Sequence, residues 1–136
     1  MPQVARYCIG MLVLSLVVSA CSSDPVKIEA NIFPAEYKNL IIKSIKDDRL
    51  MGIRDAAISD PTLRPLDNAE RYVVCVRYNP RTSDSGGNYT GLTEGIVYFY
   101  QGQITQFLKA SPDQCSWATY KPFPELEKTC AGAGCK

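Results

Sequence analysis

The side chains available for chemistry are thiols, carboxylates and phenols, because the 136-residue chain contains no histidine. Its absence excludes His-based triads, His-ligated zinc and imidazole general bases. Of the six cysteines, Cys21 stands in the most telling context. Arg6 precedes an apolar run from Tyr7 to Val18, and Val18-Ser19-Ala20 leads straight into Cys21. A basic start, a short apolar core and a small-residue exit make a secretory signal peptide. A cysteine directly after that exit is an acylation site, so residues 1–20, with Cys8 among them, are expected to leave. The run is too short for a span, which takes roughly 20 apolar residues, and Ser15 and Ser19 interrupt it. Acyl chains on the Cys21 sulfur would hold the product on a lipid bilayer without crossing it. An ordinary secreted protein cleaved near Ala20, with Cys21 in a disulfide, fits the preceding residues less well.

Cys75, Cys115, Cys130 and Cys135 remain for the exported domain, and an even number in that setting reads as disulfides. Four cysteines allow three pairings. Cys75–Cys115 with Cys130–Cys135 is favoured, because Ala131-Gly132-Ala133-Gly134 is a flexible bracket that closes a small ring. The rival reading is thiol redox or metal chemistry. Cys130 and Cys135 do not have Cys-x-x-Cys spacing, and no second close pair offers a four-thiolate site. Neither a metal nor another cofactor is expected.

Carboxylate catalysis needs two acids facing across a cleft. Glu94, Asp84, Asp55 and Asp60 are the candidates, but all fall in expected loops or strand ends, where solvated acids are ordinary. The chain is therefore read as non-enzymatic. The loop from Arg81 to Gly91 is the candidate binding site, since loops carry recognition residues more often than cores. Arg81, Asp84, Asn88 and Tyr89 supply its polar chemistry, with Arg81 and Tyr89 expected to be exposed. The competing reading is a plain hairpin loop whose glycines permit left-handed turns. Lys and Arg number 15 against 14 Asp and Glu. Loss of Arg6 with the leader balances them, so nucleic acid is a poor partner.

The elements that must position these residues follow from periodicity. Residues 21–31 read as a lipidated tether and 32–136 as one small domain. Phe33, Tyr37, Leu40, Ile41 and Ile45 recur at helical spacing, predicting a helix over Pro34 to Asp48. Arg49 to Asn68 reads as a connecting segment broken by Gly52, Pro61 and Pro65. Tyr72 to Tyr78 is β-branched and aromatic on both parities, a central strand ended by Pro80. Gly95 to Tyr100 and Gln103 to Leu108 read as a hairpin turning at Gln101-Gly102. Trp117 and Tyr120 are expected on the sheet, and Pro124 to Lys128 as a short helix. The sum is an α+β domain: one amphipathic helix on a three-stranded antiparallel sheet, stapled by disulfides.

Three segments taken together resemble a known pattern: Ile53-Arg54-Asp55-Ala56-Ala57-Ile58, then Cys75 with Asn79, then Gly86-Gly87-Asn88-Tyr89-Thr90-Gly91. The chain from Tyr37 to Cys115 is similar to small bacterial and phage-encoded envelope lipoproteins that carry Cys-x-x-x-Asn followed by Gly-Gly-Tyr-x-Gly. It departs at Ala56, where the family often has proline, and around Asn88, which lengthens the loop. The resemblance implies an uncharacterised lipoprotein family whose helix-plus-sheet outline is similar to the periplasmic domains of TolA and TonB, which bind proteins. Ser22 rather than Asp after Cys21 favours export to the outer membrane by the enterobacterial sorting pattern. The expectation is an outer-membrane-anchored module facing the periplasm that binds or steadies an envelope protein. The alternatives are a small periplasmic enzyme or a domain that binds cell-wall ligands.

Overall fold

The computed structural model describes residues 30–129. The leader, the acylation residue Cys21 and the tail cysteines Cys130 and Cys135 lie outside the described residues. The described chain is mostly sheet. One helix, α1 (Tyr37–Ile45), precedes strands β1 (Leu50–Ile58), β2 (Thr62–Leu66), β3 (Ala69–Thr82), β4 (Thr93–Tyr100), β5 (Gln103–Lys109) and β6 (Lys121–Pro122), with a short helix α2 (Pro124–Glu127) after them. The strands make one six-stranded antiparallel sheet in the order β5-β4-β3-β1-β6, with β2 also paired to β3. Among the described residues no helix is long and apolar enough to cross a membrane.

The expected three-stranded sheet is therefore wrong, and the segment read as a connection is where it fails. In β1 the buried residues are Leu50, Ile53, Ala56 and Ile58, spaced by three, three and two. Two register shifts against β3 break the alternation, and Asp55 sits at the second with φ of 56°. A bulged strand loses period two, so the spacing imitates a helical turn. β2 was hidden by Pro65. It is wholly exposed and pairs only with β3, so this is an edge position where proline is allowed. Asp67, with φ of 53°, turns the chain into β3 in a two-residue hairpin.

The helix is also shorter than expected, nine residues rather than Pro34 to Asp48. The Asp47 carboxylate accepts the Arg49 backbone N–H at 2.9 Å, and the Leu50 N–H reaches the Asp47 carbonyl at 3.0 Å. That local turn competes with the helix and sends the chain into β1. Nor does Pro80 end β3, which runs to Thr82 with Pro80 opposite Ile53. The Pro80 carbonyl faces the following loop, accepting the Thr90 N–H at 3.0 Å. A residue's N–H and C=O leave an antiparallel strand on the same side, so the missing N–H costs β1 nothing.

Both sheet faces are covered. On one, Val74, Val76, Val97 and Phe99 pack with Ile41 of α1 and with Phe123 and Leu126 of the C-terminal segment. On the other, Val73, Cys75, Ile96 and Tyr98 pack under residues 110–120, including Trp117 and Tyr120. A Cys75–Cys115 disulfide, Cα atoms 6.0 Å apart, pins that cover to β3. The β1 bulge is closed from the C-terminus: the Ala56 N–H donates to the Glu127 carboxylate at 2.9 Å, and the Phe123 N–H donates to the Ala56 carbonyl at 2.9 Å.

Candidate functional site

The odd-numbered residues of β3 share the disulfide face, and they include Arg71, Arg77, Asn79 and Arg81 beside Val73 and Cys75. Five arginines of the described chain lie over aromatic rings: Arg54 and Arg81 on Tyr89, Arg64 on Trp117, Arg71 on Tyr100 and Arg77 on Tyr120. A guanidinium on a ring face keeps its in-plane donors free for a second partner. The two that share Tyr89 form the corner where β1, β3 and the 83–92 loop meet.

That loop is braced rather than slack. Ser83–Ser85 is a single 3-10 turn, and the Ser85 hydroxyl accepts the Thr82 N–H at 3.2 Å. Gly86 and Gly87 follow at φ of 62° and 80°, left-handed conformations that glycine adopts without cost. At the far side Asn79, 7 % exposed, accepts the Gly91 N–H through Oδ1 at 2.9 Å. This bond ties the end of the Gly86–Gly91 segment to β3. Arg49 ties the loop to the end of α1, bridging Asp84 and Asp47 at 2.8 Å each. Arg49 holds the Asp47 carboxyl down from its ordinary 3.8 to about 2.

Tyr89 then stands at the surface, 37 % exposed, with the Arg54 guanidinium 4.1 Å and the Arg81 guanidinium 5.6 Å from its ring centre. Arg81 differs from its expected role. It belongs to β3, is half-buried, and donates from Nη2 to the Met51 carbonyl at 3.2 Å, while its buried Nε has no hydrogen-bond partner. It is a brace under Tyr89 more than a free contact. Asp84 is held by Arg49, and exposed Asn88 reaches back to the Ser85 carbonyl at 3.4 Å.

The four acids weighed for catalysis are each held by a different group. Asp84 pairs with Arg49, Asp60 with Lys121, Asp55 with Arg54, and Glu94 accepts the Tyr120 hydroxyl. Burial, and then that bond, push the Tyr120 phenol up. Among the described residues no group of acids and thiols could hold a metal. Of the strand and loop aromatics, Tyr72, Tyr78 and Phe99 pack on the helix face and Tyr98 on the disulfide face, while Tyr89 and Tyr100 are exposed, as is Phe33 ahead of α1.

Arg54, the nearest partner of Tyr89, was not visible as a site residue, because its strand read as a connector. The alternation of Arg77, Asn79 and Arg81 was the available signal, once β3 is carried past Pro80. The corner sets two guanidinium groups against one aromatic ring, Arg54 beside the Asp55 carboxylate and Arg81 bonded to the Met51 carbonyl. Guanidinium donors of this kind can pair with carboxylate and amide oxygens.

The chain matches no family model, no curated protein and no solved structure.

Proposed function

We propose that this protein is an exported bacterial lipoprotein, anchored to the outer membrane through acylated Cys21, that recruits an envelope protein without catalysing a reaction. The Val18-Ser19-Ala20-Cys21 segment supports the anchor, and Ser22 favours the outer membrane with the domain facing the periplasm. The recruiting role rests on one observation: Tyr89 is exposed yet immobilised between Arg54 and Arg81 at a corner braced by Asn79, Ser85 and Arg49. Tyrosine and arginine dominate interface hot spots, and fixing them beforehand removes ordering cost on binding. The likeness to small envelope lipoproteins points the same way.

Palmitate labelling tests the anchor. The native protein should take up label and the Cys21→Ser variant should not; label retained in that variant contradicts acylation at this residue. Photocrosslinking in intact envelopes from a probe placed at Asn88 tests recruitment. A discrete adduct with one envelope protein is expected, and its absence at a site bordering Tyr89 contradicts the role.

A further inference from the structure

Eight large apolar side chains of the described residues are exposed, and five of them gather at one end of the sheet: Ile32, Phe33, Leu63, Leu66 and Tyr100. This is the end at which the chain from Cys21 enters. Asn31 donates from Nδ2 to the Glu70 carbonyl at 3.1 Å, and its Oδ1 accepts the Gln101 N–H at 2.8 Å. These contacts fix the entry point beside the β2–β3 and β4–β5 turns. Phe33 sets its ring edge-on to Tyr72 at 5.4 Å, and Leu63 is the cross-strand partner of Tyr72. Leu66 and Tyr100 border the two turns. Ala30 lies nine positions beyond Cys21, a reach of about 30 Å even when fully extended.

Given an acyl anchor on Cys21, we infer that this end of the sheet is a second membrane contact. The five apolar side chains rest in the headgroup region, so the domain stands upright with the Tyr89 corner held away from the bilayer. Exposed apolar patches at one pole mark an interaction surface, and a short lipidated tether confines this one to the bilayer. Tyr100, with Arg71 over its ring at 4.1 Å, has the amphipathic form found at membrane interfaces. Charge does not drive the contact. Arg64 and Arg71 share this end with Asp67 and Glu70, so zwitterionic lipid suffices. β3 runs from this rim to the corner, and its 14 residues span roughly 40 Å at about 3.3 Å per residue. The lipid and the partner would therefore occupy opposite ends of one strand.

The inference rests on the anchoring reading, and the experiment separates the two. Acylated protein, its lipid verified by mass spectrometry, is reconstituted into phosphatidylethanolamine–phosphatidylcholine vesicles containing brominated lipid. Trp117, the sole tryptophan, stacks under Arg64 of β2 and reports the rim. A Trp117→Phe/Tyr89→Trp variant reports the corner. Strong quenching at Trp117 and little at position 89 is expected, unchanged by added salt. Leu63→Asp with Leu66→Asp, which alters exposed side chains, should abolish most of the Trp117 quenching while leaving the melt intact. Equal quenching at the two positions overturns the seat and leaves the anchor standing, whether the domain tumbles freely or its own tether covers the rim. Absence of lipid mass on Cys21 overturns the anchor and the seat together.

Discussion

The Asn79 side chain accepts the Gly91 N–H from a buried position, so one amide fixes where the Tyr89 loop returns to the sheet. Removing it hands the N–H of an exposed residue to water, so the cost is that of one net hydrogen bond, about 0.5–1.5 kcal/mol. Asn79→Ala should lower the unfolding free energy by that amount in denaturant titrations, and the Gly91 amide should exchange faster. An unchanged midpoint would show that the loop holds without this bond. At the opposite side of the loop, Arg49 depresses the Asp47 carboxyl to about 2. A carboxyl lowered on folding stabilises the folded state at pH values above its ordinary 3.8, and that contribution fades as pH falls toward about 2. Carboxyl NMR should place the Asp47 midpoint near 2, and Arg49→Ala should return it toward 3.8. A midpoint near 3.8 in the native protein would contradict the bridge.

Gly95 shows how one β4 residue sets its neighbour's packing. A Cβ there would collide with the Phe107 ring across the β4–β5 pair. Gly95→Ala should cost about 1–3 kcal/mol as the ring is displaced, read by thermal melting beside Gly95→Ala/Phe107→Leu, which should recover part of the loss. No loss in the single variant would show that the ring moves freely. Elements whose burial follows a simple period were legible in the sequence: β3 from its two-sided apolar core, the β4–β5 hairpin from Gln101-Gly102, and α2 from Pro124. Those built on exceptions were not. β1 hides behind a bulge at Asp55, β2 behind an edge proline, and the end of α1 depends on a side chain, Asp47, bonding its own backbone. The loop around Tyr89 was legible as a candidate site because glycines mark it. Its closest partner, Arg54, arrives from a strand that only tertiary pairing reveals, and Arg81 proved to be a brace because β3 continues through Pro80.

At the scale of the molecule, the Cys75–Cys115 bond holds the 110–120 segment over the second sheet face, closing a loop of sequence separation 40. Loop-closure entropy assigns such a link about 4 kcal/mol. Cys75→Ala/Cys115→Ala should lose stability on that scale, with Trp117 emission shifting to the red as its cover loosens. A melt matching the native protein would contradict a structural role for this bond. Covering both faces leaves the edges and the two ends of the sheet as its free surfaces. The tether enters at one end and the Tyr89 corner stands at the other. The account therefore turns on whether that corner recruits a partner. The most direct measurement is crosslinked capture from intact envelopes by acylated protein carrying Arg54→Ala with Tyr89→Ala, compared with native protein and with Leu108→Ala, a change at an exposed position outside the corner. The exposed cation–π contact is worth about 0.5–1 kcal/mol, so the melt should barely move. Capture should be lost in the double variant and kept with Leu108→Ala; a double variant that folds normally and captures the same partner at native yield would contradict the account.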